Sequence, residues 1–271
     1  MSETVSGDVY THGHHESVLR SHSARTAVNS AGYLLPHLTH GLSLLDVGSG
    51  PGTITTDFAR LLAPGEVTGL DRAPEVVAQA TSRAAEQHLS NLSFQTGNIY
   101  DLDFPDNEFD VVHAHQVLQH LTDPVEALRE MRRVAKPGGI VAVREADFHG
   151  MSWYPELPVL DDWMKLYQTL ARHNRAEPDA GRRLIKWAHA AGFSDITPSS
   201  ANWLYATEEQ RQWHAGVWAD RVVHSAFAEQ AVEYGLADRT ELERLSAGWR
   251  AWGSTADGWF LIPNGEIIAR V

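Results

Sequence analysis

The chain has no cysteine. That absence excludes disulfide frameworks, zinc–thiolate sites, iron–sulfur clusters and every cysteine-nucleophile mechanism. Cations are also scarce, with 22 Lys and Arg against 35 Asp and Glu and a formal net charge of −13. Phosphate neutralisation dominates duplex nucleic-acid affinity, and no basic run here exceeds two residues; neither nucleic acid nor an anionic membrane is an expected partner. No apolar run approaches the ~18 residues of a membrane span. Residues 1–5 have neither a basic nor an apolar leader pattern, so a cytoplasmic protein is expected. Tryptophan is missing from the first 152 residues, and all nine lie between Trp153 and Trp259. The chain therefore divides into two parts with different tasks. At 271 residues and 43% hydrophobic composition it suits one core with a cap or insertion.

Residues 1–40 are polar and rich in histidine, and the spacing of Ala24, Ala27, Ala31 and Leu34 predicts a helix around 16–35. Strands are then predicted at 42–47, 67–70, 92–95, 109–114 and 140–143, alternating with helices at 53–62, 74–87, 116–121 and 124–134. That alternation implies right-handed βαβ units and a parallel sheet. Further helices are predicted at 157–173, 181–191, 207–222 and 240–252, with capping-box spacing after Thr207 and Thr240. Residues 196–206 read as extended. Residues 259–262 and 267–271 read as two strands joined by a turn at Asn264-Gly265.

Between the first strand and its helix lies Asp46-Val47-Gly48-Ser49-Gly50-Pro51-Gly52. Glycines let backbone approach a ligand, and the helix N-terminus offers free N–H groups. Asp71 closes the next strand and can accept hydrogen bonds from a ribose diol. A dinucleotide would bring a pyrophosphate to this loop, where Asp46 would repel it. The spacing also departs from Gly-x-Gly-x-x-Gly, since residue 53 is Thr. A cationic ligand reverses the argument.

Residues 44–52 resemble the first motif of class I S-adenosylmethionine-dependent methyltransferases of the small-molecule, ubiquinone/menaquinone-methyltransferase-like type. Gly69-Leu70-Asp71 resembles their ribose-binding stretch, and 96–104 their adenine-contacting stretch. Residues 109–121 and 132–139 resemble their fourth strand and the turn before their fifth. The resemblance spans roughly residues 40–145. It implies an α/β, Rossmann-like, doubly wound seven-stranded sheet, mostly parallel with an antiparallel last strand, completed by residues 180–206 and 259–271. It also implies S-adenosyl-L-methionine as cofactor, bound by Asp46, Gly48, Ser49, Gly50, Gly52, Asp71, Arg72, Asn98, Ile99 and His115. Relatives usually carry Asp where Asn98 stands; Asn98 can still accept through its side-chain oxygen.

Acceptor sites in the resembling family lie largely outside the core. The expected organisation is a helical lid segment at 1–40, a cofactor-binding core at 41–145, and a remainder at 146–271 whose helical insertions (146–178 and 207–256) cap the acceptor site. The tryptophans in these insertions line an apolar pocket or form the core of a helical layer. The expected reaction is methyl transfer to an O or N atom of a small, aromatic or hydrophobic molecule. Two alternatives stand beside it: an S-adenosylmethionine user of this fold that transfers no methyl group, and a cofactor-binding pseudoenzyme. No catalytic base is identified; His115 and His120 are the candidates. No metal site is expected, because His12, His14 and His15 have no supporting carboxylate spacing. Tyr10 and its neighbours are expected to fold over the cofactor.

Overall fold

A computed structural model describes residues 7–11 and 21–271. Strands β1 (Leu44–Val47), β2 (Val67–Asp71), β3 (Leu92–Thr96), β4 (Phe109–His115) and β5 (Ala135–Ala146) form a parallel sheet. Its helices are α1 (Ala27–Ser30), α2 (Thr53–Leu62), α3 (Pro74–Glu86) and α4 (Pro124–Val134). The central strands are mostly buried because both sheet faces are covered; their buried polar residues Asp46, His113, His115, Arg144 and Glu145 are exceptions to an otherwise apolar pattern. Leu44, Val111 and Ile140 pack with Phe58 and Leu62 of α2. Their strand neighbours Leu45, Val112 and Val141 point the other way, into the core with Leu128 and Met131 of α4.

After β5 come β6 (Ser152–Tyr154), α5 (Pro158–His173), α6 (Leu184–Ala190), β7 (Asp195–Tyr205), α7 (Glu208–His224), α8 (Ala226–Glu233), α9 (Arg239–Gly253) and β8 (Trp259–Arg270). The sheet order is β3-β2-β1-β4-β5-β8, and both β6 and β7 also pair with β8. β8 runs antiparallel to β5, β6 and β7. The doubly wound sheet with an antiparallel last strand is therefore present, and the short β6 makes eight strands. Helices α5, α7, α8 and α9 enclose a separate apolar cluster with one end of β8. Trp163, Trp249 and Trp252 are fully buried there, in edge-to-face contacts typical of aromatic cores. For these tryptophans the core reading holds.

Three sequence expectations change. Asn264-Gly265 is not a turn; β8 runs through it, and Gly265 lacks the positive φ that a two-residue turn requires. Glycine is needed for close approach instead, since a Cβ there would lie 2.2 Å from the carbonyl oxygen of Gly181. The helix expected at 16–35 is shorter in its described part. Thr26 starts α1 with a capping box, and a 3₁₀ turn at Leu35–His37 follows; residues 12–20, with His12, His14 and His15, lie outside the described residues. The helix expected at 116–121 is a 3₁₀ turn at Leu118–His120, because Gln116 adopts a left-handed backbone (φ 55°) that interrupts the chain's course.

Candidate active site

The C-terminal ends of β1, β2 and β4 open onto a cavity of about 410 Å³, where open α/β sheets place their ligands. The glycine loop forms one wall. Gly48 has φ 69°, and a Cβ there would come within 2.4 Å of Val117. Asp71 holds the loop in place, accepting from the N–H of Gly50 at 3.0 Å and of Ala73 at 3.1 Å. Asp46 is 3% exposed; its carboxylate accepts from Thr55 Oγ1 at 2.6 Å and meets His113 Nδ1 at 2.7 Å. It lines the cavity as a fixed negative charge with both oxygens engaged.

The structure brings Gly48, Ser49, Gly50, Arg72, Asn98, Ile99 and His115 to the same cavity. Gly52 is not part of its lining. It is pinned by packing, since a Cβ would meet Phe94 at 2.6 Å. The side-chain oxygen of Asn98 accepts from the N–H of Tyr100 at 3.1 Å, so the amide nitrogen is its uncommitted donor. His115 is 5% exposed and neither ring nitrogen has a hydrogen-bond partner. Burial and the nearby Arg25 and Arg144 hold its pKa well below the usual histidine value.

A second cavity, of about 300 Å³, adjoins the first. Tyr10, His22, Arg25, Gln116 and His120 line both. Trp203, Trp213 and Trp218 line the second, together with Tyr205 and His214. Trp203 and Trp213 are partly exposed here, whereas Trp218 borders the cavity from within the buried aromatic cluster. His120 stacks edge-on to Tyr10 with centroids 4.8 Å apart. Burial pulls its pKa to about 3, so it is neutral at pH 7.

Several positions at this junction carry no obvious sequence signal. Glu145, at the end of β5, accepts from the backbone N–H groups of Val117, Leu118 and Gln119 at 3.0, 2.7 and 3.3 Å. It thereby fixes the turn that carries His120, while burial pushes its own carboxyl up to about 8. Gln116 sits at the seam in its strained backbone state, accepting from Arg25 at 2.5 Å and donating to Asn264 at 3.3 Å. Such outliers concentrate at functional sites. Residues 8–11 tie the two layers together. Asp8 accepts from the N–H of Thr122 at 2.7 Å, while Asn174 donates to Thr11 at 3.0 Å and Gln230 to the Tyr10 carbonyl at 3.3 Å. Among the described residues no cluster of His, Asp and Glu could hold a metal, and no helix is long and apolar enough to cross a membrane.

Comparison with known proteins decides the family. A family model described as a methyltransferase domain matches residues 38–211. The chain belongs to this methyltransferase family. It is 36% identical over 278 residues to an uncharacterised methyltransferase, C1B3.06c, of Schizosaccharomyces pombe, covering 99% of this chain and 98% of that protein. It is also 36% identical over 105 residues to a ubiquinone/menaquinone biosynthesis C-methyltransferase of Bdellovibrio bacteriovorus, covering 39% of this chain and 44% of the relative. The solved YcgJ protein of Bacillus subtilis shares the fold, with a TM-score of 0.56 and 19% identity over 88% of this chain and 97% of that one. The methyltransferase is of the class I, S-adenosylmethionine-dependent kind, and the two alternative readings are not favoured.

The first cavity's residues fit that cofactor. S-adenosylmethionine carries a sulfonium and an ammonium, and Asp46 and Asp71 place negative charge on the wall. Leu70, Val76, Ile99 and Leu121 give the same cavity apolar surface for a nucleobase. Ser49 Oγ and both His115 nitrogens are buried without partners, as groups awaiting a polar ligand are.

Proposed function

We propose that the enzyme transfers a methyl group from S-adenosylmethionine to an O or N atom of a small aromatic or hydrophobic molecule, with the cofactor in the first cavity and the acceptor in the second. One observation carries this reading: the two cavities share a wall at Tyr10, His22, Arg25, Gln116 and His120, so their ligands would meet there. In this reading Asp71 receives the ribose diol, and Arg72, Asn98 and Ile99 border the nucleoside. Asp46 and the loop of Gly48, Ser49 and Gly50 border the charged amino-acid end, Gly52 supports that loop, and His115 lies at the seam. Residues 1–40 act as the lid, 41–145 as the cofactor core, and the insertions at 146–178 and 207–256 as the acceptor cap. The acidic chain supports a small acceptor in the cytoplasm over nucleic acid or a membrane surface.

Bound S-adenosylmethionine supplies an electrophilic methyl carbon; the protein's task is to align a nucleophile with it and exclude water. Residues 8–11 and the 117–120 turn close the seam. His120 serves as a neutral polar contact. With a pKa of about 3, holding a proton at pH 7 would cost it about 5 kcal/mol, so it makes a poor general base.

Asp71→Ala tests the cofactor assignment by calorimetry with S-adenosylhomocysteine. A carboxylate hydrogen bond is worth about 1.5–3 kcal/mol, so binding should weaken about 10- to 100-fold. Unchanged affinity would remove Asp71 from the site. Formation of S-adenosylhomocysteine across a library of small acceptors tests the reaction itself.

A further inference from the structure

The second cavity is unusual for so acidic a chain. Acidic residues outnumber basic ones 35 to 22, yet the described wall of this cavity contains two arginines, Arg25 and Arg221, and neither Asp nor Glu. Arg221, on α7, is 6% exposed. Its guanidinium donates to Ser21 Oγ at 2.9 Å and lies 4.5 Å from the Trp218 ring centroid. Its Nε has no partner. Among the described residues no carboxylate pairs with Arg221 or Arg25. Arg144, equally buried at 2% exposure, shows the contrast, because Glu266 stands 3.6 Å from it.

A buried guanidinium without a counter-charge is costly, and proteins pair or neutralise such groups. The neutral neighbours cannot do so. His120 and His214 are held uncharged by burial. Glu145, whose field reaches Arg25, gives its oxygens to three backbone N–H groups. Among the described residues, then, Arg221 has no counter-charge, and a ligand entering the cavity can supply it. Flat rings form part of the remaining wall, beside aliphatic Met151, Leu204, Val217 and Ile262: Tyr205 stacks on His214 with centroids 4.0 Å apart, and Trp203 and Trp218 lie beneath Arg144 and Arg221.

We infer that the methyl acceptor is an aromatic acid, a planar molecule whose carboxylate or acidic hydroxyl is held as an anion by Arg221 and Arg25. This rests on the assignment of the second cavity to the acceptor. The inference also removes a difficulty in that assignment. Where the anionic oxygen is itself the atom methylated, it forms the new O–C bond as the S–C bond breaks and S-adenosylhomocysteine leaves, with no proton to remove, so no strong base is needed.

The test uses benzoate and its neutral isostere benzamide as probes, titrated into the full-length protein and followed by thermal shift and tryptophan fluorescence. Benzoate should bind at least tenfold more tightly than benzamide. Arg221→Met should erase that preference while leaving S-adenosylhomocysteine affinity within twofold of wild type. Arg221→Lys, which keeps the charge, should retain part of it. If Arg221→Met does not fold, Arg221→Gln, which keeps a polar side chain but no charge, carries the same comparison. Equal binding of the two probes, binding of neither, or a preference that survives loss of the arginine charge would overturn the inference. Failure of the wild-type protein to bind S-adenosylhomocysteine would instead overturn the cofactor assignment, so the two failures are distinguishable.

Discussion

His214 should make the protein acid-sensitive in a way that a single substitution can isolate. Its ring is 4% exposed, packed against Tyr205, Trp249 and Trp252, and its Nε2 has no partner. Burial, reinforced by the positive charge of Arg221, lowers its pKa to about 3. In the unfolded chain the imidazole titrates near its ordinary value of about 6.5. The folded value is the lower one, so as pH falls through the unfolded value of about 6.5 the unfolded state takes up a proton that the folded state refuses. Stability is therefore lost on acidification. From about pH 7.5 to about pH 5.5 the unfolded ring goes from about one-tenth to nine-tenths protonated, which is a loss of about 1.4 kcal/mol from this residue. Urea unfolding of wild type and His214→Gln at both pH values measures it. Packing lost in the variant lowers its stability equally at both pH values and cancels when the fall across the interval is compared. The wild type should fall by about 1.4 kcal/mol more than the variant, a sizeable share of the ~5–15 kcal/mol typical of a folded protein. Equal falls would refute the reasoning and mean that the imidazolium is accommodated in the folded state.

Two further predictions concern the frame around the site. Gly265→Ala should destabilise by about 2 kcal/mol, because the new Cβ would sit 2.2 Å from backbone of Gly181 that no rotamer change can move; calorimetry should show the melting temperature lowered by about 4–8 °C. Glu145→Gln replaces an accepting oxygen with a donor inside a ring of three backbone N–H groups. It should cost about 2 kcal/mol in urea unfolding at about pH 9, above the carboxyl's pKa of about 8, and a cost near zero there would mean that the 117–120 turn does not depend on the carboxylate.

The cofactor half was legible because its signals are local. A buried strand, a glycine loop and an acid closing the next strand occur in sequence, and the βαβ geometry brings them together without help from distant residues. Gly52 shows the limit of that reading: its place in the loop implied contact with ligand, whereas Phe94, distant in sequence, makes it a packing position. Asn264-Gly265 shows the same limit in the fold. The pair has the chemistry of a turn, but pairing with β5 and β7 on either side holds it extended. The second half, to which the acceptor site is assigned in the proposed function, was least legible. Arg221 meets Ser21 across 200 positions and Asn174 meets Thr11 across 163, separations at which no motif survives. The uneven placement of tryptophan marked where that half begins, but could not separate the buried Trp163, Trp249 and Trp252 from Trp203 and Trp213, which face the second cavity, or show that Trp218 does both; only packing does so.

Strand β8 has a mechanical consequence. Its residues 264–270 pair with β5, residues 259–261 pair with β6, and β7 runs alongside from 260 to 270. The same strand reaches from the central sheet into the aromatic core, where Phe260 and Ile262 are buried. It works as a girder shared by both layers, and a hinge between them would have to break hydrogen bonds on one or both of its sides. Opening by rotation of the helical layer is thus mechanically expensive. Among the described residues, the strap at 8–11 is held to each layer by only a few hydrogen bonds. In the reaction proposed above, the acceptor would enter and the products leave by unfastening that strap while the frame stays rigid.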